Sequence, residues 1–357
     1  MTLSPFDSDR GPELPRGGRR GKKDRRRADP NATVPEARFS SYYGHQIVKP
    51  APWGHEIPAY FFLGGVAAGS GLIGALAHGK GLGTLRRNSR YSALGAVALS
   101  GATLIADLGR PERFVNMLRT VKLTSPMSVG TWIFSAFSAS SGLAVAAEAA
   151  SALGIGSGRS GAGRAVGKAL AVAGPLASIG SAAFSAPLAS YTAVLASDTA
   201  TPLWHESYRE LPFVFTGSAL AASSGLAMLT TPAAQTAEVR RLAVLGAAAD
   251  TAAFHLMKHR LGQLAEPLER GRPGTLAKAA TALTAAGAAG TALFGRSRLG
   301  SALSGLALMA GSAATRFAVV EAGIESAKDP KYTVISQKAR LAARRASGRV
   351  TDSIVTA

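Results

Sequence analysis

The 357-residue chain is 47% hydrophobic, 6% aromatic and only 17% charged, with 41 glycines and a formal net charge of +19. It has no cysteine, which excludes disulfides, thiolate zinc sites and cysteine-ligated iron–sulfur clusters within the chain. Most of the basic residues sit in the tails and short connectors, where a membrane protein carries its positive-inside signal, so the charge does not point to nucleic acid.

Residues 1–50 are polar and rich in Pro and Gly, and contain RGGRRGKKDRRR (Arg16 to Arg27). Such a segment buries too little apolar surface to fold alone and reads as a disordered basic tail in contact with solvent or lipid headgroups. Its paired arginines are not followed by the apolar run an export signal needs.

Eight apolar segments follow, near residues 56–78, 89–108, 126–149, 166–196, 211–230, 239–258, 275–294 and 299–322. Most have the ~20 residues that a helix needs to cross a hydrocarbon core of ~30 Å. The reading is an all-α polytopic membrane protein, an eight-helix bundle over residues 51–325, followed by a basic tail at 326–357. Small residues spaced by four in the first segment (Gly65 and Gly69, Ser70 and Gly74) suit close helix packing inside that bundle. The fourth segment, longer than the rest, reads as interrupted by Pro175 and Pro187.

An even number of crossings puts both termini on one side, here called side A. Nearly every chemically capable residue falls there. His55, Glu56 and Tyr60 open the first segment, Asp107 and Arg110 close the second, Ser125 opens the third, and Tyr191 lies near the end of the fourth. The opposite side carries mainly Arg and Lys, as in LRRNSR (Leu85 to Arg90) and GRSGAGR (Gly158 to Arg164).

None of the six histidines lies near the middle of a segment, which argues against haem. Asp250 does fall near the middle of the sixth, where an ionisable group is costly and suggests a proton or ion pathway; a buried, locally paired acid is the alternative. Arg316 in the eighth segment is equally well placed to snorkel to the interface or to pair with Asp250. Tyr191 reads either as an interfacial belt tyrosine or as a donor to a ligand carbonyl.

Several long stretches together resemble the NrfD/polysulfide reductase membrane-subunit family: AYFFLGGVAAGSGLIGAL, LIADLGRPERFVNMLR, SPMSVGTWIFSAF, YTAVLASDTATPLW, LPFVFTGSALAASSG and RFAVVEAGIESAKDP, spread from Trp53 to about Tyr332. The resemblance implies a haem-free, eight-helix membrane subunit that exchanges electrons with the quinone pool, menaquinone being the expected quinone. It implies a four-cluster ferredoxin-like iron–sulfur partner and a molybdopterin catalytic subunit. It also implies a quinone near the helix ends facing the iron–sulfur subunit, held by His55, Glu56, Tyr60 and Tyr191, with Asp107 and Arg110 in the family's DLGRP motif. In this chain Ile57 and Tyr60 stand where some members have Asn or His.

The residues themselves fit that chemistry. A quinone needs an apolar slot, one or two donors for its carbonyls and a titratable group with a route to water. Side A offers donors in His55, Tyr60, Arg110 and Tyr191, acceptors in Glu56 and Asp107, and a deeper acid in Asp250. Arg113, Arg119 and Lys122 in the connector after the second segment suit docking of a partner. Two other readings stand beside this one: a secondary transporter coupling ions through Asp250 and Arg316, and a purely structural anchor. The location is the cell membrane. The Lys/Arg-rich connectors put side A outside the cytoplasm, whereas the basic tails, with Lys328, Lys331, Lys338 and Arg340, put it inside; the expectation is cytoplasmic termini.

Overall fold

The computed structural model describes residues 46–155 and 161–348, so most of the basic N-terminal tail lies outside the described residues. The main unit, Pro50–Ser326, holds α1 (Glu56–Gly79), α2 (Gly83–Asp107), α3 (Phe114–Leu118), α4 (Pro126–Ala152) and α5 (Gly161–Ser197). It continues with α6 (Pro202–Glu206), α7 (Leu211–Thr230), α8 (Ala237–Leu261), α9 (Gly271–Phe294) and most of α10 (Arg298–Lys328). Among the described residues there is no strand, and the protein is an all-α multi-pass membrane protein.

The eight long helices lie on the eight apolar segments. Five of them, α1, α4, α5, α7 and α10, are long and apolar enough to cross a membrane by length and composition. The other three have comparable lengths of 24 to 25 residues but a more polar surface. Helix α2 carries Arg86, Arg87 and Arg90 in its first turns, and α8 has Glu238 near its start, Asp250 at its centre and Lys258 to Arg260 at its end.

Two features differ from the sequence expectation, the start of α2 and the continuity of α5. Helix α2 begins at Gly83, so most of LRRNSR is helix rather than connector, and Leu85, Ser89 and Arg90 are buried. Helix α5 runs unbroken through Pro175 and Pro187, and α8 and α10 are also continuous, so among the described residues these helices show no mid-membrane interruption of the kind a transporter of inverted-repeat design would use. Residues 330–346 of the C-terminal tail form a helix.

Small side chains set the packing. Helix α1 runs against α2, α5 and α7; α4 pairs with α5, and α7 with α8. The α7–α8 crossing is close enough that a Cβ at Gly217 would stand 2.6 Å from the Asp250 amide nitrogen, and one at Gly246 would stand 2.9 Å from the Gly217 carbonyl oxygen. Backbones approach this closely only where glycine leaves the space, as packing in lipid requires. Toward the ends of these helices opposite the start of α1, Ile73, Leu85, Met228, Val239 and Leu308 share an apolar core.

The second unit has residues 46–49 and 327–348 as its described part. Its helix α11 (Pro330–Ala346) starts after Asp329, whose carboxylate accepts the Lys331 N–H at 2.9 Å, and has Pro330 in its first turn. Arg344 and Arg345 close it, where the helix dipole favours cations.

Candidate functional site

The mouth of the site is built around the start of α1. Trp53 stacks on Trp204 with ring centroids 4.7 Å apart, and the Trp204 indole N–H donates to the Val319 carbonyl at 2.8 Å. That clamp fixes the chain entering α1 against α6 and α10. His55, the residue before α1, is exposed with its ring 6.1 Å from that of Phe317. Glu56 opens the helix at its positive dipole end, also exposed, with its carboxylate folded back over Gly54. Asp107, the last residue of α2, accepts a hydrogen bond from the Gly54 N–H and lies within Coulombic reach of Glu56. Two carboxylates therefore share one rim. Arg110 is exposed on the same rim and makes no ion pair among the described residues.

Behind the rim stand two buried tyrosines from different helices. Tyr60 of α1 is 3% exposed; its ring lies 5.6 Å from that of Phe61 and 6.3 Å from that of Phe134 on α4, and its carbonyl accepts the Ser100 hydroxyl at 3.1 Å. Tyr191 of α5 is buried with its ring over Gly130 of α4. Gly130 and Phe134 are four residues apart, on one face of the helix, so the two tyrosines reach successive turns of the same surface. Neither hydroxyl has a hydrogen-bond partner among the described residues. Two tyrosine donors on one helix face are therefore available to a ligand.

The connector from α3 to α4 flanks this mouth. Ser125 caps α4 and Pro126 occupies its first turn, as the Ser-Pro pair predicts. Val121, Leu123 and Met127 are exposed at 66%, 84% and 57%, beside exposed Arg119 and Lys122. The side chain of Arg113 lies outside the described residues.

Asp250 is not at this mouth. It lies at the centre of α8, 4% exposed, where the Ser218 hydroxyl bridges it to Ser312, 2.8 Å from Ser218. Arg316 does not snorkel: it is 1% exposed, donates to the Phe215 carbonyl at 2.7 Å and stacks its guanidinium 3.9 Å above the Phe215 ring. The two charges attract each other without a direct ion pair, and Arg316 Nε and Nη1 have no partner among the described residues. A small pocket lined by Asp250, Thr251, Thr284, Thr315 and the exposed His255 opens beside the acid. The Phe61–Phe215 contact, 5.9 Å between centroids, connects this cluster with the neighbour of Tyr60.

A second ionic cluster joins the buried Arg90 and Glu148 with the half-buried Arg86, and Glu148 is not among the residues that the sequence analysis names. Glu148 accepts from Arg90 Nη1 at 2.7 Å and from Arg86 Nη2 at 2.9 Å, which is what allows Arg90 to be buried in α2. Its signal was present: Glu148 is a lone acid inside the apolar run SGLAVAAEAASA, as unusual there as Asp250 is in its own segment.

A family model described as polysulphide reductase, NrfD, matches residues 45–270, reaching from the approach to α1 just past the end of α8. The stretch RFAVVEAGIESAKDP in α10 lies beyond the matched residues. A search of curated proteins returns no match.

Proposed function

The chain belongs to the NrfD family, membrane subunits of polysulfide reductase-like complexes, and we propose that it exchanges electrons between an iron–sulfur partner and the membrane quinone pool. The observation that carries this reading is the pair of tyrosine side chains, Tyr60 and Tyr191, that reach one face of α4 beside a rim of two carboxylates.

Reduction of a quinone to a quinol takes two electrons and two protons. Tyr60 and Tyr191 donate hydrogen bonds to the ring carbonyl oxygens and so favour the electron-rich state of the ring. Asp107 and Glu56 pass protons between that position and water. Arg110, exposed beside them, supplies positive charge at the rim, and His55 a ring nitrogen for hydrogen bonding. Asp250 relays protons deeper in the bundle, with His255 as its outlet to water.

The chain has no cysteine, so the electrons come from clusters on another subunit. The exposed apolar residues of the α3–α4 connector, with Arg119 and Lys122, form the surface on which a ferredoxin-like four-cluster subunit docks. A molybdopterin subunit beyond it acts on the final substrate. The quinone is menaquinone, and the chain termini are cytoplasmic.

Labelling native membranes with an azido-menaquinone analogue tests the assignment. Crosslinks within Trp53–Phe61, Gly130–Phe134 and Leu188–Tyr191 are expected; crosslinks confined to the helix ends far from Tyr60 would overturn it.

A further inference from the structure

Away from the quinone mouth, α1, α2, α4 and α5 enclose a small pocket lined by Gly74, Arg90, Ser141, Ser178 and Ser181. Two of its side chains are more than nine-tenths buried and carry unspent hydrogen-bonding groups. Arg90, 7% exposed, directs Nη1 to Glu148 at 2.7 Å and Nη2 to the Ser178 hydroxyl at 2.5 Å, but its Nε–H has no partner among the described residues. Ser141, 2% exposed, also has a hydroxyl without a partner. Its neighbours on α4 behave differently: Ser135 and Ser138 donate to the carbonyls one turn back at 2.8 Å and 2.7 Å.

The charges are unbalanced as well. Two guanidinium groups share a single carboxylate, both of whose oxygens are already taken by Arg86 and Arg90. Arg86 is about one-third exposed, so water screens part of its charge. Arg90 is buried, and with both Glu148 oxygens taken its Nε–H and the nearby Ser141 hydroxyl remain without an acceptor.

We propose that this pocket binds one halide-sized anion, held by the Arg90 Nε–H and the Ser141 hydroxyl. The space is about that of one water-sized particle, so no polyatomic acid fits. The anion neutralises the cluster and locks α2, α4 and α5 together at the ends of the helices remote from Tyr60.

The test uses the native complex purified in gluconate and titrated with chloride or bromide at constant ionic strength, read by thermal unfolding and by bromide anomalous diffraction. Both halides are expected to raise the unfolding temperature, with a bromide peak beside Arg90 Nε. Ser141→Ala should raise the half-saturating halide concentration roughly tenfold, the loss of one hydrogen bond to a charged group. Gly74→Ala places a methyl 3.5 Å from Arg90 Cγ, an ordinary contact that preserves the fold while narrowing the pocket, and should abolish the bromide response. Unfolding temperatures indifferent to halide in the unmodified complex, a peak without anomalous signal, or a Gly74→Ala variant that responds like the unmodified complex would each overturn the proposal, the first two pointing to a bound water only.

Discussion

The ring of Tyr191 lies directly over Gly130, so close that a Cβ on residue 130 would collide with ring carbons Cδ2 and Cε2. Glycine on α4 therefore determines where the α5 tyrosine stands. Gly130→Ala should displace the ring without altering its hydroxyl. The expected result is a raised KM for quinone close to that of Tyr191→Phe, which loses one ligand hydrogen bond and about tenfold in kcat/KM. Steady-state quinone-linked turnover of the two variants checks this.

Asp107→Asn keeps an oxygen to accept the Gly54 N–H but removes the carboxylate. Turnover should fall by roughly 10²- to 10⁴-fold, the usual contribution of a positioned acid–base group, while the complex still assembles. A full loss of assembly would mean that Asp107 serves only the α1–α2 contact.

Asp250 sits apart from the tyrosines, and the kinetics should separate the two places. Asp250→Asn preserves the shape of the Ser218–Ser312 network and is expected to lower kcat at unchanged KM for quinone, unlike Tyr60→Phe, which should raise KM. Asp250 is the one nearby opposite charge of Arg316 among the described residues, so Asp250→Ala should also lower the unfolding temperature in detergent.

Glu148→Ala strands Arg90 and Arg86. Removing one partner of a buried ion pair costs about 3–5 kcal/mol, so this variant should be the least stable of the set while leaving quinone affinity unchanged in whatever fraction folds. Differential scanning fluorimetry of the purified complex measures it.

A reporter fused after Ala357 addresses the sidedness. Green fluorescence is expected and alkaline phosphatase activity is not, as for a cytoplasmic terminus.

Much of this architecture was readable in the sequence because lipid imposes simple rules. Runs of apolar residues of the right length mark the long helices, and Ser125-Pro126 marks the start of α4. Counting crossings placed Glu56, Tyr60, Asp107 and Tyr191 on one side, and the structure puts the two carboxylates on one rim and the two tyrosines on one face of α4. The sequence could not show that Asp250 belongs to a different cluster, because which helices face each other is decided by glycine contacts such as Gly217 with Gly246. Charge was misleading where burial was locally compensated: Arg90 looks like connector charge until Glu148, 58 residues away, is placed against it. Arg316 likewise looks free to snorkel until Phe215 is found under its guanidinium.

The most direct measurement is electron paramagnetic resonance of the native complex purified through this chain, its clusters first reduced with dithionite and then exposed to a menaquinone analogue. Signals of reduced iron–sulfur clusters that disappear on quinone addition, and persist in a complex carrying both Tyr60→Phe and Tyr191→Phe, are expected. A purified complex with no cluster signals, or clusters that the quinone leaves reduced in the unmodified complex, would contradict the account.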